Sequence, residues 1–180
     1  MKKNYQKQLV LLGGGHANVQ VLQKLCMNEY VGLHTILISD NYEATYSGMT
    51  PGFVRNDFLE NEIQIDLQRL CFNAGATFVK DSIKSLDFKL NEIALIKNSN
   101  IKFDILSINT GSVSKTNKIL ISNDAEYIFV KPINNLVKNL TKIDELINNS
   151  IITNITIVGG GISAYEISFS LKQRYQDKLK

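Results

Sequence analysis

The sequence predicts an α/β fold in which a parallel sheet is followed by an antiparallel β-meander and by the start of a second α/β unit. A short apolar strand, three consecutive glycines and a helix occur twice, first over residues 9–26 and again from residue 155. Between the two copies lie short β-rich runs separated by Asn- and Ser-containing turns, which is the pattern of a meander. A chain of 180 residues can bury a sizeable core without disulfides or metals.

The first copy is predicted to form a β-α-β unit. Leu9–Leu12 is a fully apolar run, as expected for a central parallel strand. A helix is predicted from Ala17, and its apolar face comprises Val21, Leu22, Leu25 and Cys26. His34–Ser39 is the second buried strand.

The next segment, residues 40–62, is predicted to be a long irregular loop, and such a loop inside a compact domain usually serves a function. Asp66 is predicted to cap a short helix that ends at Gly75. Cys71 lies on the apolar stripe of this helix, and Cys26 on that of the first. Both are expected to be core residues, because a free cysteine packs as a small hydrophobe.

The later elements follow from the same signals. The predicted strands are Thr77–Ser85, Glu92–Lys97 and Ile101–Asn109, which make up the meander, and then Glu126–Val130 and Ile155–Val158. Pro132 suits the first turn of a helix, and the apolar residues that follow it recur at helical spacing. A last helix is predicted to run from the second glycine triplet to Lys180.

The two glycine triplets are candidate phosphate-binding loops. A pyrophosphate needs backbone N–H groups aimed at it with no Cβ in the way, and a strand that turns into a helix N-terminus supplies them. In the first loop Gly13 is expected to make the turn and Gly15 to admit the phosphates, but Asn18 replaces the usual third glycine. The second loop fits at its three positions, Gly159, Gly161 and Ala164. Either loop could be a structural turn, but two copies in the same context favour dinucleotide binding.

Two further signals lie where predicted strands end. The acidic residue that would bind ribose hydroxyls falls at Ser39 or at the following Asp40, and we favour Asp40, although it could simply begin the loop. Phe103–Asn109 is followed by the compact turn Thr110-Gly111-Ser112, at an edge where open α/β sheets bind ligands. These features predict a Rossmann-like dinucleotide-binding domain followed by the start of another.

Composition and spacing exclude several other classes of protein. The net charge of +3 comes from 20 basic and 17 acidic residues without a Lys/Arg block, so nucleic acid is not an expected partner. No His/Cys cluster has metal-ligand spacing, so no metal is expected. The N-terminus does not read as a signal peptide, and no run reaches the ~18 apolar residues of a membrane span. A cytoplasmic location is expected.

These motifs, in this order, resemble the pyridine nucleotide–disulfide oxidoreductase superfamily, whose members bind FAD on the first loop and NAD(P)H on the second. The branch looks like type II NADH dehydrogenases and, more narrowly, is similar to the NADH-dehydrogenase-like flavoprotein found fused to selenide, water dikinase. The narrower likeness lies in Gly-Gly-Gly-His at 13–16, Tyr46-Ser47-Gly48-Met49-x-Pro51-Gly52, Ile65-Asp66-Leu67 and Val130-Lys131-Pro132. The likeness covers essentially the whole chain. No Cys-x4-Cys follows the first unit, so disulfide-reductase chemistry is not implied.

The resemblance implies an FAD-dependent NAD(P)H oxidoreductase in which hydride passes to the flavin and electrons then pass to an acceptor such as a quinone. The residues implied to lie at FAD are Gly13, Gly14, Gly15, His16, Asp40, Ser47, Gly48, Met49, Pro51, Thr110 and Gly111. Those implied to hold NAD(P)H are Gly159, Gly161 and Ala164. Glu166 matches a glutamate near the nicotinamide, although it could be an ordinary first-turn glutamate favoured by the helix dipole. His16 could equally be a loop residue without ligand contact.

The implied domains are an FAD-binding domain over residues 1–132 that lacks its closing segment, a connecting helix over 133–150, and the truncated start of an NAD(P)H-binding domain over 151–180. One strand and one helix cannot bury their own apolar faces, so the last part is expected to be poorly packed and this chain alone inactive with NAD(P)H. The chain would then be part of a longer protein or the product of a decayed gene.

Other partners and functions remain open at this point. Contact with a membrane surface, or association with selenide, water dikinase, would come through parts outside this chain. The alternative functions are a non-catalytic FAD- or NAD-binding module and a remnant that binds no ligand.

Overall fold

The computed structural model describes residues 6–114, 127–176 and 178. The chain divides into two compact units. The first comprises the residues up to Ala44 together with Ile65–Gly111, and the second comprises Thr45–Gln64 together with the residues from Ser112 onward. Residues 45–64 therefore interrupt the first unit in sequence but belong to the second.

Helices are interspersed with strands up to residue 80, a run of strands follows to residue 108, and two helices come after it. In chain order they are β1 (Lys7–Leu12), α1 (His16–Met27), β2 (Leu33–Ser39), β3 (Glu43–Thr45), α2 (Thr50–Val54), β4 (Gln64–Asp66), α3 (Leu67–Asn73), β5 (Thr77–Lys80), β6 (Ile83–Asp87), β7 (Glu92–Leu95), β8 (Ile101–Lys102), β9 (Ile105–Ile108), α4 (Ile133–Asn148) and α5 (Ile162–Arg174).

A parallel sheet of four strands, in the order β5-β2-β1-β9, forms the centre of the first unit. Each neighbouring pair is parallel, and β1 pairs with β2 from Lys7↔Leu33 to Leu12↔Ile38. The carboxyl ends of these strands therefore lie along one edge of the sheet, which is where open α/β sheets bind ligands. The predicted β-α-β unit is confirmed.

Layers cover both faces of this sheet, because alternate side chains of a strand point to opposite faces. On one face the buried Leu11 and Leu37 pack with residues of α1 and α3. On the other face Val10 and Ile38 pack against Ile93 of the antiparallel sheet β6-β7-β8. The predicted fold class, a parallel sheet combined with an antiparallel meander, is confirmed.

Two of the predicted meander strands are wrong in one respect, because each is divided between two sheets. Thr77–Ser85 contributes β5 to the parallel sheet and then enters β6 of the antiparallel sheet. Ile101–Asn109 likewise contributes β8 to the antiparallel sheet and β9 to the parallel sheet. A continuous β-rich sequence does not reveal which of two sheets each half will join.

An aspartate lies at each of these two breaks. The buried Asp81 carboxylate accepts hydrogen bonds from the N–H groups of Ser82 (2.7 Å), Lys97 (3.0 Å) and Asn98 (2.8 Å). Asp104 accepts the N–H of Gln8 over 2.7 Å. Side chains that bond backbone groups in this way compete with a continuing ladder. Burial pushes the pKa of Asp81 upward, but the hydrogen bonds from its neighbours outweigh burial and hold that pKa below its usual value.

Of the two cysteines only Cys71 lies in the core. Cys26 is exposed, so its predicted burial is wrong. It lies in the last turn of α1, beyond the part of that helix that is buried, and its sulfur lies 3.9 Å from the carbonyl oxygen of Leu70. Burial raises the pKa of the Cys71 thiol to about 12, and the nearby Cys26 thiol adds to the shift.

The predicted helix caps on α3 are both observed. Asp66 accepts the N–H of Arg69 over 2.8 Å, and Gly75 follows the helix with a φ of +64°. The prediction of an irregular loop over residues 40–62 is wrong, because the segment contains β3, a 3-10 turn at Ser47–Met49, α2 and a second 3-10 turn at Glu60–Glu62. Pro51, interpreted as a turn former, lies in the first turn of α2, where its fixed φ suits a helix.

The second unit has a core of helices. The buried side chains that form it are Val54 of α2, Leu136, Leu140 and Ile147 of α4, and Ile167 and Leu171 of α5, joined by Tyr175. The predicted helix after Pro132 is confirmed as α4, with Pro132 at its N-cap. The last helix ends at Arg174 rather than at Lys180, so that prediction is wrong at its end.

Two predicted strands of the second unit are not formed. Residues 127–130 and 155–158 have no regular structure, while Glu126 lies outside the described residues. A strand forms only where its N–H and C=O groups pair with a neighbour. Neither segment pairs with a strand in the part of the chain that the structure describes. An apolar β-branched run is therefore not sufficient for a strand.

Candidate dinucleotide-binding site

The first glycine loop joins β1 to α1 at the carboxyl edge of the parallel sheet. Gly13 has a φ of +85°, and a Cβ added there would lie 2.5 Å from the carbonyl oxygen of Asn109. Its N–H donates to the carbonyl of Ile38, at the end of β2, over 2.8 Å. Both the conformation and the space available to Gly13 therefore require glycine at the turn.

The other two glycines of this loop are equally confined. A Cβ on Gly14 would lie 2.4 Å from Cδ1 of Leu67, which is fully buried in α3. A Cβ on Gly15 would lie 2.1 Å from Oδ1 and 2.5 Å from the carbonyl oxygen of Asn109. Close approach between this loop, α3 and the end of β9 thus depends on all three glycines.

The loop leads directly into the N-terminus of α1. This helix begins at His16 with Gly15 as its N-cap, so no side chain of the loop caps it. The first N–H groups of a helix have no partner within the helix, and the helix dipole makes that end attractive to anions. Asn109 accepts hydrogen bonds from two N–H groups at this end: its Oδ1 accepts from Ala17 over 3.0 Å, and its backbone carbonyl accepts from Gly15 over 3.1 Å.

Asn18, which replaces the usual third glycine, is completely buried and holds the loop together. Its Nδ2 donates to the carbonyls of Leu12 (3.0 Å) and Gly13 (2.8 Å). Its Oδ1 accepts the hydroxyl of Ser107, in β9, over 2.7 Å. Asn18 at the position of the usual glycine therefore fixes the turn by donating hydrogen bonds to its backbone carbonyls.

Other predicted residues reach the same edge of the first unit. Asp40 follows β2 and is exposed, whereas the alternative at this position, Ser39, is buried and accepts the N–H of Asn41 over 3.3 Å. Thr110 follows β9, and a Cβ on Gly13 would lie 2.7 Å from its Cα. Gly111 has a φ of +79°, and a Cβ added there would meet no heavy atom within 4 Å among the described residues. The structure thus brings the first loop, Asp40 and the Thr110-Gly111 turn to one edge.

The predicted residues Ser47, Gly48, Met49 and Pro51 lie in the second unit. Ser47 and Gly48 are exposed, and a Cβ on Gly48 would lie 3.3 Å from the ring of Tyr46. Thr50, between Met49 and Pro51, was not singled out by the sequence motif. Its Oγ1 is buried without a hydrogen-bond partner among the described residues. A buried hydroxyl without a partner is energetically costly.

The second glycine loop is much less confined than the first. A Cβ added at Gly159, Gly160 or Gly161 would have no heavy atom within 4 Å among the described residues. The loop is exposed, as are the neighbouring Val158 and Ile162 (87% and 78% exposed). Gly161 is the N-cap of α5, and its carbonyl accepts the N–H of Ala164 over 2.9 Å. The loop–helix geometry is therefore present without a strand before it.

Glu166 lies in α5 and is exposed. Its backbone carbonyl accepts the hydroxyl of Ser170 over 2.7 Å, which is a local bond within the helix. At the far end of α5, Arg174 donates to Asp144 of α4 over 2.7 Å and 2.5 Å and to the carbonyl of Val54 in α2 over 3.0 Å. This pairing, together with the buried Ile167 and Leu171, holds α5 in the second unit.

The same cluster shifts the pKa of a carboxyl group. Asp144 also accepts the hydroxyl of Tyr175 over 2.7 Å. Burial pushes its pKa upward, but the bonds from Arg174 and Tyr175 outweigh burial and lower it. The lowered pKa favours the carboxylate form of Asp144, and we assign this residue a structural role.

The described residues offer neither a metal centre nor a membrane span. They contain no group of three or more His, Cys, Asp or Glu side chains placed to hold a metal ion. No helix among them has both the length and the apolar character needed to cross a membrane.

No family model matches this sequence, and no curated protein matches it. Solved structures do match. NDH2 from Plasmodium falciparum in complex with NADH is 16% identical, with a TM-score of 0.74 over 96% of this chain and 38% of that one. A ferredoxin reductase from Rhodopseudomonas palustris is 15% identical, with a TM-score of 0.73 over 97% of this chain and 41% of that one.

A sulfide:quinone oxidoreductase from Aquifex aeolicus is 20% identical, with a TM-score of 0.65 over 79% of this chain and 33% of that one. The chain thus spans about a third to two fifths of the length of these three proteins. Likeness at such identities concerns the fold. The chain has the mixed α/β fold, with a parallel sheet and an antiparallel sheet, that these Rossmann-like oxidoreductases have.

Proposed function

We propose that this chain is the FAD-binding part of an NAD(P)H oxidoreductase, with the pyrophosphate of FAD at the first glycine loop. The observation that carries the proposal is the confinement of that loop. Gly13 and Gly15 have no room for a Cβ, and the loop turns a central parallel strand into the N-terminus of α1. That is the arrangement by which α/β proteins bind dinucleotides.

Several other residues fit a bound flavin dinucleotide. Asp40 is an exposed carboxylate after β2, where a ribose hydroxyl would be recognised. Thr110 and Gly111 lie at the next strand end along the same edge. Ser47, Gly48, Met49 and Pro51 are proposed to contact the flavin ring, and Thr50, whose buried hydroxyl has no hydrogen-bond partner among the described residues, lies in the same segment. His16, the first residue of α1, is included in this proposed set.

The protein would supply position and electrostatics, and the cofactor would supply the redox chemistry. When bound, FAD would accept a hydride from NAD(P)H, leaving NAD(P)+, and pass the electron pair to an acceptor such as a quinone, which takes up protons to become a quinol. The N-terminus of α1 would neutralise part of the pyrophosphate charge. The proposed acceptor class is supported by the fold shared with the sulfide:quinone oxidoreductase.

The NAD(P)H site is proposed at the second loop, on Gly159, Gly161 and Ala164, with Glu166 near the nicotinamide. Its support is the loop–helix geometry at the start of α5 and the fold shared with a structure that contains NADH. A cytoplasmic location and a link to selenide, water dikinase belong to the same proposal, and both rest on the sequence motifs alone.

The first test is the visible spectrum of the purified chain after incubation with FAD and removal of free flavin. We expect a retained flavin band, which a remnant without a ligand would not show. In the whole protein that includes this chain, NADH is expected to bleach that band. For the 180-residue chain alone we expect no bleaching, since its second site has one loop and one helix. A retained band that NADH never bleaches, even in the whole protein, would leave a non-catalytic flavin-binding module.

A further inference from the structure

The side chain of Asn109 lies against the first glycine loop, at the place where the proposed function puts a pyrophosphate. Asn109 follows the last residue of β9. Its Oδ1 is the heavy atom nearest to the position of a Cβ on Gly15, at 2.1 Å. The same oxygen accepts the N–H of Ala17 over 3.0 Å. The group that uses the room left by Gly15 in this structure is therefore a carboxamide of the protein itself.

This contact makes Asn109 the cap of a helix to which it does not belong. The N-cap of α1 is Gly15, which has no side chain to offer. Asparagine is among the best capping residues because its oxygen accepts an N–H of the first turn. Here that oxygen comes from the neighbouring strand, and it takes a donor at the helix end that attracts anions.

Two hydrogen bonds fix the backbone of Asn109, whereas its side chain bonds the N–H of Ala17 through Oδ1. The N–H of Asn109 donates to the carbonyl of Leu12 over 2.8 Å, and its carbonyl accepts the N–H of Gly15 over 3.1 Å. These bonds continue the pairing of β9 with β1. The side chain is only half-buried and is followed by the exposed Thr110. Rotation of the carboxamide would therefore leave the edge of the sheet intact.

We propose that the Asn109 side chain is a displaceable cap, which occupies the Ala17 N–H in the free chain and yields it to a pyrophosphate oxygen when a dinucleotide binds. The inference rests on the proposed function, which puts FAD at this loop. A phosphate oxygen carries a formal charge and bonds an N–H at a helix N-terminus more strongly than a neutral amide oxygen does. Asn109 thus stabilises the free chain and, by the same contact, lowers its affinity for the dinucleotide.

Removal of the Asn109 side chain should therefore lower the stability of the free chain and raise its affinity for FAD, and both changes can be measured. Asn109→Ala removes the cap, so the melting temperature of the free chain is expected to fall by about 2–4 °C. In the same variant the Kd for FAD is expected to fall about three- to tenfold, which corresponds to one net hydrogen bond that no longer has to be broken. Inorganic pyrophosphate, used as a second probe, should show a change of the same sign.

A second variant replaces the neutral cap with a charged one. Asn109→Asp keeps an oxygen at the helix end, so the free chain should melt no lower than the unaltered one. Its carboxylate repels the phosphates, so the Kd for FAD should rise about tenfold at low ionic strength and recover partly as salt is added. Asn139→Ala serves as the control, because Asn139 lies in α4 of the second unit, where its Nδ2 donates to the carbonyl of Asn135. It should leave the Kd for FAD unchanged.

Each result decides between the alternatives. A higher Kd for FAD in Asn109→Ala would show that the carboxamide contacts the ligand directly, which overturns the displaceable cap and leaves the proposed function intact. An unchanged melting temperature of Asn109→Ala would show that the side chain does not cap α1, and it would also overturn the proposal. Absence of saturable FAD binding by the unaltered chain would be seen before any variant is compared, and it would overturn the proposed function together with the cap.

Discussion

Ser107 donates its hydroxyl to the buried carboxamide of Asn18 over 2.7 Å, which ties strand β9 to the first turn of α1. Asn18 in turn donates to the carbonyls of Leu12 and Gly13, so one side chain connects the loop to two elements of the sheet edge. Where the usual dinucleotide pattern has a glycine that permits close packing, this chain has a polar group with its hydrogen bonds satisfied.

Asn18→Ala is therefore expected to lower the free energy of unfolding by about 1–3 kcal/mol, because it leaves buried carbonyl and hydroxyl groups without their partner. Urea denaturation would measure the change. Ser107→Ala should lower it by less, since only one of the three bonds is lost. In the double variant the two losses should not add, because they share the Asn18–Ser107 bond. Strictly additive losses would show that this bond contributes nothing.

The Asp81 carboxylate predicts a dependence of stability on pH. Its pKa is lowered in the folded chain, so its contribution is present above the unfolded-state pKa of about 3.9 and is lost as pH falls through the folded value. Asp81→Asn should make the chain less stable at neutral pH and should flatten the loss of stability below about pH 4. Chemical denaturation over a series of pH values would show both effects.

Glu29→Gln, at an exposed carboxylate, is the control for this comparison. It should leave the stability curve close to that of the unaltered chain at every pH. If Asp81→Asn also followed the unaltered curve, the hydrogen bonds at the break between β5 and β6 would contribute nothing to folding.

In the second unit, Asp144 holds Arg174 and Tyr175 in one cluster. Asp144→Asn would leave the guanidinium of Arg174, whose side chain is 11% exposed, without its carboxylate. We expect a loss of about 1–3 kcal/mol in the free energy of unfolding, as for hydrogen bonds to charged groups. The matched control is Asp57→Asn, which breaks the exposed Arg55–Asp57 pair and should cost about 0–1 kcal/mol. Equal losses in the two variants would contradict the assigned role of the Asp144 cluster.

Glu166 is proposed to influence hydride transfer without forming a covalent bond. It is exposed near the start of α5, one turn beyond the second glycine loop. In the whole protein, Glu166→Gln should change the rate of flavin reduction by NADH or of reoxidation by the acceptor, while FAD content and melting temperature stay the same. Stopped-flow measurement of both half-reactions tests this, and unchanged rates for both would leave Glu166 without a role in hydride transfer. The alternative interpretation as a first-turn glutamate favoured by the helix dipole is wrong, because no acidic residue lies in the first turn of α5.

Much of the first unit could be predicted from sequence because its signals are local. An apolar run, three glycines and an amphipathic stripe specify β1, the first loop and α1. The division of residues 77–85 between two sheets could not be predicted, since it depends on hydrogen bonds between Asp81 and residues 97 and 98. The absence of a strand at 155–158 could not be predicted either, because a β-branched run in the sequence does not show whether a neighbouring strand will pair with it.

The candidate site was predicted in part for the same reason. Three consecutive glycines predict a tight turn from the sequence alone, whereas the roles of Asn18 and Asn109 depend on contacts across the sheet. Asn109 offered one signal, its place between an apolar parallel strand and Thr110-Gly111. Thr50 offered less, because a buried hydroxyl without a partner is visible only in three dimensions.

The central claim is that the first glycine loop binds FAD, and an equilibrium titration of the 180-residue chain with FAD tests it most directly. We expect saturable binding to one site, at least tenfold weaker in Gly15→Val, because a branched side chain at this position would stand where the phosphates are proposed to approach the loop. Gly160→Ala, at a glycine where an added Cβ would meet no heavy atom within 4 Å in the described part of the chain, should bind FAD as the unaltered chain does. A thermal melt of Gly15→Val would establish that the variant is folded. No saturable binding by the unaltered chain, or undiminished binding by folded Gly15→Val, would contradict the claim.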